Sequence, residues 1–178
     1  MKVEIVNGYM EGIGVRARAA SQVLSVAPSK NRDLALSNIA NKLVDKKSEI
    51  LAANEEDRKA TCESSLDEAY LGRLILSSEQ IDSMAVDVNK IAALPDPVGE
   101  YLDLYTVPNG LEVGKRRVPL GVIGAIYESR PNVTIDISAL CIKSGNCLIL
   151  RGGKEAIRSN KILSDIVRDS LTDACLPG

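Results

Sequence analysis

Histidine is absent from this chain of 178 residues, and that removes His-based general-base chemistry and any Cys/His triad from within it. Phenylalanine and tryptophan are absent too, so the core has to be assembled from Leu, Ile, Val and Ala. The four cysteines, Cys62, Cys141, Cys147 and Cys175, are far apart and form no CxxC pair, which argues against zinc ligation and against a disulfide framework. No apolar run approaches the roughly 20 residues that a membrane-spanning helix requires. The opening MKVEIVNGYMEG has no apolar h-region, so it does not read as a secretory signal, and a cytoplasmic protein is expected. There is no basic block either, and 22 basic against 24 acidic residues leave a net charge of −2. Neither nucleic acid nor an acidic membrane is therefore expected as the main partner. The chain also lacks repeats, low-complexity segments and the G-x-G-x-x-G fingerprint.

What is present starts with helices. After Pro28-Ser29, the residues Ala35, Leu36, Ile39, Ala40 and Leu43 trace one amphipathic stripe. A second helix is expected from about Lys46 to Ala60, turning Ile50, Leu51 and Ala53 inward. Ser77 and Gln80 stand at the N-cap and N3 spacing of a capping box. They open a helix with Ile81, Met84, Ala85, Val88, Ile91 and Ala92 on one face, which Leu94-Pro95-Asp96-Pro97 stops. Between Tyr101 and Arg117 the pattern becomes strand-like around Pro108-Asn109-Gly110, and Asn-Gly signals a hairpin turn.

The stretch from Val118 to Asn160 carries most of the information. Leu120 to Tyr127 is apolar on both faces, as a buried parallel strand requires. Pro131 ends it, since proline lacks a donor N–H and restrains the residue before it. A helix is expected to about Lys143, closed by Ser144-Gly145-Asn146 with Gly145 in the left-handed conformation. Cys147 to Leu150 reads as a second buried strand, and Arg151-Gly152-Gly153 leads into another helix. This is a βαβα unit, and open α/β sheets bind ligands at the carboxyl ends of their strands. Two polar clusters, Glu128 to Asn132 and Arg151 to Glu155, fall at those ends.

VPLGVIGAIYESRPNV (Val118 to Val133) and KSGNCLILRGGKEAIRSN (Lys143 to Asn160) resemble the signature segments of the γ-glutamyl phosphate reductase family. That family, also called glutamate-5-semialdehyde dehydrogenase, lies within the aldehyde dehydrogenase superfamily. ILAANEEDRKA (Ile50 to Ala60), LPDPVGE (Leu94 to Glu100) and PNGLEVGKRRVPLGV (Pro108 to Val122) extend the likeness over nearly the whole chain. The resemblance implies an α/β, aldehyde dehydrogenase-like fold: N-terminal helices, a β-hairpin and an incomplete Rossmann-like parallel βαβα unit. Residues 1–100 are then the helical part of the cofactor-binding domain, 101–117 the hairpin and 118–178 the first half of the nucleotide-binding unit. The reaction it implies is NADPH-dependent reduction of γ-glutamyl phosphate to glutamate 5-semialdehyde, in proline biosynthesis. A cysteine thiolate displaces phosphate and hydride reduces the thioester.

By the same resemblance, Arg151, Gly152, Gly153, Lys154 and Glu155 occupy the adenosine-ribose position of the cofactor. Arg151 and Lys154 suit the 2′-phosphate of NADPH, and Glu155 a ribose hydroxyl; an ordinary charged turn is the alternative. Because the G-x-G-x-x-G fingerprint is missing, this placement rests on the resemblance. The turn with Ser129, Arg130 and Asn132 would lie beside the nicotinamide and the reacting carbonyl, with Ser129 and Arg130 binding substrate. Asn132 would donate to the developing oxyanion. Arg130 would pair with the acyl phosphate or the substrate carboxylate, unless it forms a salt bridge with Glu128 or Asp136. The hairpin is expected either as a homo-oligomer edge or as a plain intramolecular hairpin.

Cys141 and Cys147 sit inside apolar patterns and are expected as buried structural thiols. Cys62 falls near a helix end and Cys175 just before Leu-Pro-Gly, so none of the four has a nucleophile's context. The family's catalytic cysteine is then expected beyond Gly178, and the chain alone, as an N-terminal part with a bare sheet edge, is expected to be inactive. Two other readings stand beside this one. The first is a non-catalytic α/β interaction protein that pairs with a full-length subunit. The second is another aldehyde dehydrogenase, against which the Glu-Ser-Arg-Pro-Asn turn speaks, since ordinary members favour an aromatic residue and Asn there.

Overall fold

A computed structural model describes residues 2–62 and 68–178. In chain order the elements are helices α1 (Lys2–Ser25), α2 (Ser29–Asp45), α3 (Lys47–Cys62), α4 (Glu68–Leu74) and α5 (Ser78–Ala92). Strands β1 (Tyr101–Thr106), β2 (Glu112–Arg116) and β3 (Val122–Ile126) follow, then α6 (Asn132–Lys143), β4 (Cys147–Arg151), a 3-10 turn (Lys154–Ala156) and α7 (Ile157–Asp173).

The core lies where α2, α5, α6 and α7 meet. The expected stripe of α2 is buried in full, with Ala35, Leu36, Ile39 and Leu43 at 0% exposure. It packs on Ile81, Met84, Ala85 and Val88 of α5, on Ile135, Ala139 and Ile142 of α6, and on Leu163 and Ile166 of α7. The first hundred residues and the last sixty thus share one core. The capping box of α5 is complete: Ser77 Oγ accepts from Gln80 N at 3.2 Å, and Ser77 N donates to Gln80 Oε1 at 2.7 Å. Helices α1 and α4 were not foreseen. On α1, Ala17, Ser21 and Leu24 are buried at i, i+4 and i+7, and α1 lies against β4 and β3.

The expectation for α3 holds at Ile50 alone. Leu51 and Ala53 are half-buried, and the inward stripe continues instead through Asn54, Asp57 and Thr61. These polar residues are tolerated inside because they are hydrogen-bonded. Asn54 donates to Leu74 O at 2.8 Å and to Ser159 Oγ at 3.1 Å, and accepts from Leu76 N at 2.8 Å. One side chain ties α3 to the link between α4 and α5 and to the start of α7.

A second polar cluster fastens the end of α6. Arg32, 2% exposed, donates to Lys143 O at 2.5 Å and to Asp96 Oδ2 at 2.6 Å. Lys143 Nζ reaches Asp33 Oδ1 and Ala92 O, both at 2.7 Å. Burial pushes the Asp96 carboxyl up, but the hydrogen bonds from Arg32 and from Val98 N, with the charges of Arg32 and Lys143, hold it below its ordinary value. Asp96 belongs to the Pro-rich segment that stops α5, so the same carboxylate pins that segment to α2.

β1 and β2 pair antiparallel as the hairpin expected, with a register shift between Leu102 and Tyr105 where Asp103 takes φ 53°. β3 and β4 pair parallel, from Val122 against Cys147 to Ile126 against Arg151. Gly145 has φ 73°, and a Cβ there would stand 3.0 Å from Pro119 Cγ, so only glycine closes α6 in this way. The burial expected of this sheet is not found. Val122 is 39% and Ile126 81% exposed, β4 is half-buried, and Cys147 with it. Apolar strands become inaccessible when neighbours and helices cover both faces, and among the described residues each of these has one partner strand.

Candidate functional site

The carboxyl ends of β3 and β4 stay in register past the strands, because Tyr127 N donates to Arg151 O at 3.1 Å. The chain then turns through Glu128–Pro131, where Arg130 N donates to Glu128 O at 2.8 Å, and α6 starts at Asn132. Below the turn, Tyr127 Oη and Thr134 Oγ1 lie 2.6 Å apart, and Thr134 Oγ1 donates to Asn160 Oδ1 at 3.0 Å. This chain links β3, α6 and α7. Burial raises the Tyr127 hydroxyl above its ordinary value, against the opposing effect of its bond to Thr134, so it remains a neutral phenol near neutral pH.

Gly152 lies directly over that network. A Cβ on it would come within 2.3 Å of Asn160 Nδ2 and 3.1 Å of the Tyr127 ring. Its requirement for glycine therefore comes from packing within the chain, where the sequence suggested approach of a cofactor. Next to it, a Cβ on Gly153 would meet Glu155 Oε2 at 2.8 Å and Ser129 Oγ at 3.3 Å. The two polar clusters read from the sequence thus touch each other. Ser129 is 1% exposed, so its hydroxyl belongs to the seam between the turns. Arg151 and Lys154 are exposed, and among the described residues neither is in an ion pair. Two exposed cations thus stand beside a backbone turn at the end of β4, with Glu155 next to them.

The start of α7 is held from a distance. Asp57, with 0% exposure, accepts from Ser159 N and Ser159 Oγ, both at 2.8 Å, and from Arg158 N at 3.2 Å. Arg158 and Ser159 are the second and third residues of α7, and Ala156 before the helix offers no side-chain cap. An α3 carboxylate therefore does the work of the missing N-cap.

Asn132 donates Nδ2 to Asp136 Oδ2 at 3.1 Å, which leaves the second N–H of that amide for another acceptor. The alternative for Arg130, a salt bridge with Glu128 or Asp136, is not found among the described residues. Glu128 pairs with Arg73 at 3.7 Å, and Asp136 is taken by Asn132. Arg130 instead lines a cavity of about 370 Å³ together with Arg73, Asp87, Asn132 and Asp136. Burial raises the Asp136 carboxyl; the bond from Asn132 opposes this, and the charge of Asp87 adds to it. Sequence reasoning missed Arg73, Asp87 and Asp57. A usable signal existed for two of them: Asp87 stands three residues after the buried Met84, and Asp57 seven after Ile50, each on or beside an inward stripe.

The cysteines lie apart from these turns. Burial raises the thiols of Cys141 and Cys147, Cys175 is exposed, and the side chain of Cys62 lies outside the described residues. Among the described residues, no helix is long and apolar enough to cross a membrane and no acidic, Cys or His group could hold a metal ion.

The arrangement of helices, hairpin and parallel strand pair is aldehyde dehydrogenase-like. A probable aldehyde dehydrogenase from Listeria monocytogenes superimposes with a TM-score of 0.71 over 96% of this chain and 35% of its own, at 15% identity, a likeness of fold alone. Within that class the chain is similar to the N-terminal part of γ-glutamyl phosphate reductase. The enzyme of that name from Dehalococcoides mccartyi strain CBDB1 is 55% identical over 161 residues, which are 90% of this chain and 38% of the relative. The crystal structure of γ-glutamyl phosphate reductase from Thermotoga maritima gives a TM-score of 0.87 at 40% identity, over 91% of this chain and 39% of that one. The chain thus spans about two fifths of the length of the relatives it matches. No protein-family model matches it.

Proposed function

We propose that the chain provides the cofactor-binding turn and part of the substrate site of a cytoplasmic enzyme. That enzyme reduces γ-glutamyl phosphate to glutamate 5-semialdehyde and phosphate in proline biosynthesis. The observation that carries this reading is the contact between the Ser129–Asn132 turn and the Gly152–Glu155 turn at the ends of one parallel strand pair. A nucleotide and an acyl substrate held on the two turns would meet at the place where strand ends converge. Bound NADPH supplies the hydride. Arg151 and Lys154 hold its 2′-phosphate, Glu155 accepts from a ribose hydroxyl, and Ser129 and Gly153 keep the two turns in contact. Asn132 offers its remaining amide N–H to the substrate oxygen that gains charge.

The thiolate is supplied by none of Cys141, Cys147 or Cys175, because the first two are held protonated by burial and Cys175 lies outside both turns. Cys62 ends α3, outside both turns in the sequence, so the polypeptide of 178 residues is expected to show no turnover by itself. The hairpin, with Tyr101, Leu104, Tyr105 and Leu111 more than half exposed, is suited to pair with a second copy of the enzyme. Arg151→Ala in the complete enzyme tests the cofactor placement. It should weaken NADPH by about tenfold or more while barely changing NADH, as loss of a charge-assisted contact predicts. Equal losses for both cofactors would remove Arg151 from the phosphate.

A further inference from the structure

The cavity beside Asn132 carries charges of both signs, and its position makes them informative. Its walls come from four separate parts of the chain: Arg73 at the end of α4, Asp87 on α5, Arg130 in the turn and Asp136 on α6. The arginines gather at the turn, where Arg73 reaches Glu128 at 3.7 Å. Both aspartates line the cavity at the α5–α6 seam, and Asp136 stands one helical turn beyond Asn132. Burial disfavours Asp136 as an anion, the bond from Asn132 opposes this, and the Asp87 charge adds a smaller push in the same direction as burial. Asp87 has one cation beside it, Lys90 of its own helix at 2.8 Å, and that pair is exposed. Asp136 has an amide neighbour and no cation among the described residues.

A ligand of one sign does not satisfy these walls. An isolated phosphate or a dicarboxylate would gain the guanidiniums and meet the two carboxylates; a simple amine would meet the reverse. A group bearing an ammonium and a carboxylate a few bonds apart relieves both, since the ammonium separates two like charges and the carboxylate accepts a bidentate guanidinium. The volume is adequate for such a group, as small-ligand sites begin at about 300 Å³.

We propose that this cavity recognises the α-amino acid head group of the substrate, with the ammonium held between Asp87 and Asp136 and the α-carboxylate on Arg130 and Arg73. The proposal rests on the glutamyl substrate inferred above and adds what selects it: a free α-amino group. An acyl phosphate without that amine, or with it acylated, is refused because two carboxylates are left facing each other.

Calorimetric binding of L-glutamate, glutarate and 4-aminobutyrate to the full chain tests this. Glutamate should bind at least about tenfold more tightly than either analogue, each of which lacks one charge of the head group. Asp136→Asn and Asp87→Asn should each bring glutamate down to the level of glutarate. Glutarate binding as tightly as glutamate in the unmodified protein overturns the proposal whether or not the variants fold. So does a preference for glutamate that survives in both variants. Reductase activity is measured separately on the complete enzyme that carries this segment: a glutamate preference without activity there sinks the assigned reaction and leaves the site, and activity without the preference sinks the site alone.

Discussion

Replacing Asp57 with alanine should loosen the chain at a point about a hundred residues away in sequence. The carboxylate is fully buried and caps the first turn of α7 through Arg158 N, Ser159 N and Ser159 Oγ. Loss of a helix cap costs about 1 kcal/mol. Loss of the charge-assisted bond to the buried Ser159 hydroxyl adds about 1.5 kcal/mol, and stranding the amide of Ser159, itself 0% exposed, adds about 1 kcal/mol more. The Arg158 guanidinium is 48% exposed and is counted as nothing. Relief of the carboxylate's own burial works the other way, and it is limited because the existing hydrogen bonds already compensate it. The expected loss is about 3 kcal/mol, a large share of the 5–15 kcal/mol typical of a domain. In urea, with a slope of about 2 kcal/mol per molar, the midpoint should fall by about 1.5 M with the slope unchanged. Asp57→Asn keeps an acceptor oxygen without the charge and should lose about half as much. Because α7 begins just after the Arg151–Glu155 turn, amide hydrogen exchange should speed up at Lys154–Ser159 before it does in α2. If both variants stay within about 0.5 kcal/mol of the parent, the distant cap contributes no stability and the argument fails.

Gly152→Ala introduces a methyl group 2.3 Å from Asn160 Nδ2, so it should cost about 1–3 kcal/mol by overpacking and displace the Arg151–Glu155 turn. A lowered urea midpoint together with weaker NADPH binding would show both effects, and unchanged values would mean that Asn160 moves aside freely. Asp96→Asn should cost roughly 1–3 kcal/mol at neutral pH, since it leaves the buried Arg32 without its carboxylate. The folded-state value of Asp96 is depressed, so its contribution is present above the unfolded pKa and fades as pH falls through the folded one. The gap between parent and variant, followed by urea titration, should therefore close below the ordinary carboxylate range; a gap constant down to pH 2 would contradict the assignment.

Local signals made much of the fold legible. The α2 stripe repeats with helical period, Ser77 and Gln80 form the capping box their spacing announces, and Asn109-Gly110 turns the hairpin. The alternation of strand and helix from Val122 to Asp173, with Gly145 ending α6, depends on residues a few positions apart, which is why the pattern alone placed the polar clusters at strand ends. Tertiary structure decided which polar residues go inside. Asn54 and Asp57 are buried because the α4–α5 link and α7 bring hydrogen-bond partners to them from twenty or more and from over a hundred residues away, and no local period records such a partner. The need for glycine at 152 is set by Asn160 and Tyr127 beneath it. Exposure of β3 and half-burial of Cys147 follow from how many strands stand beside them, which an apolar run does not encode. The charged cavity is the clearest case: Arg73, Asp87, Arg130 and Asp136 lie on four segments, each charge by itself looks like an ordinary solvated residue, and only tertiary packing brings them to one cavity.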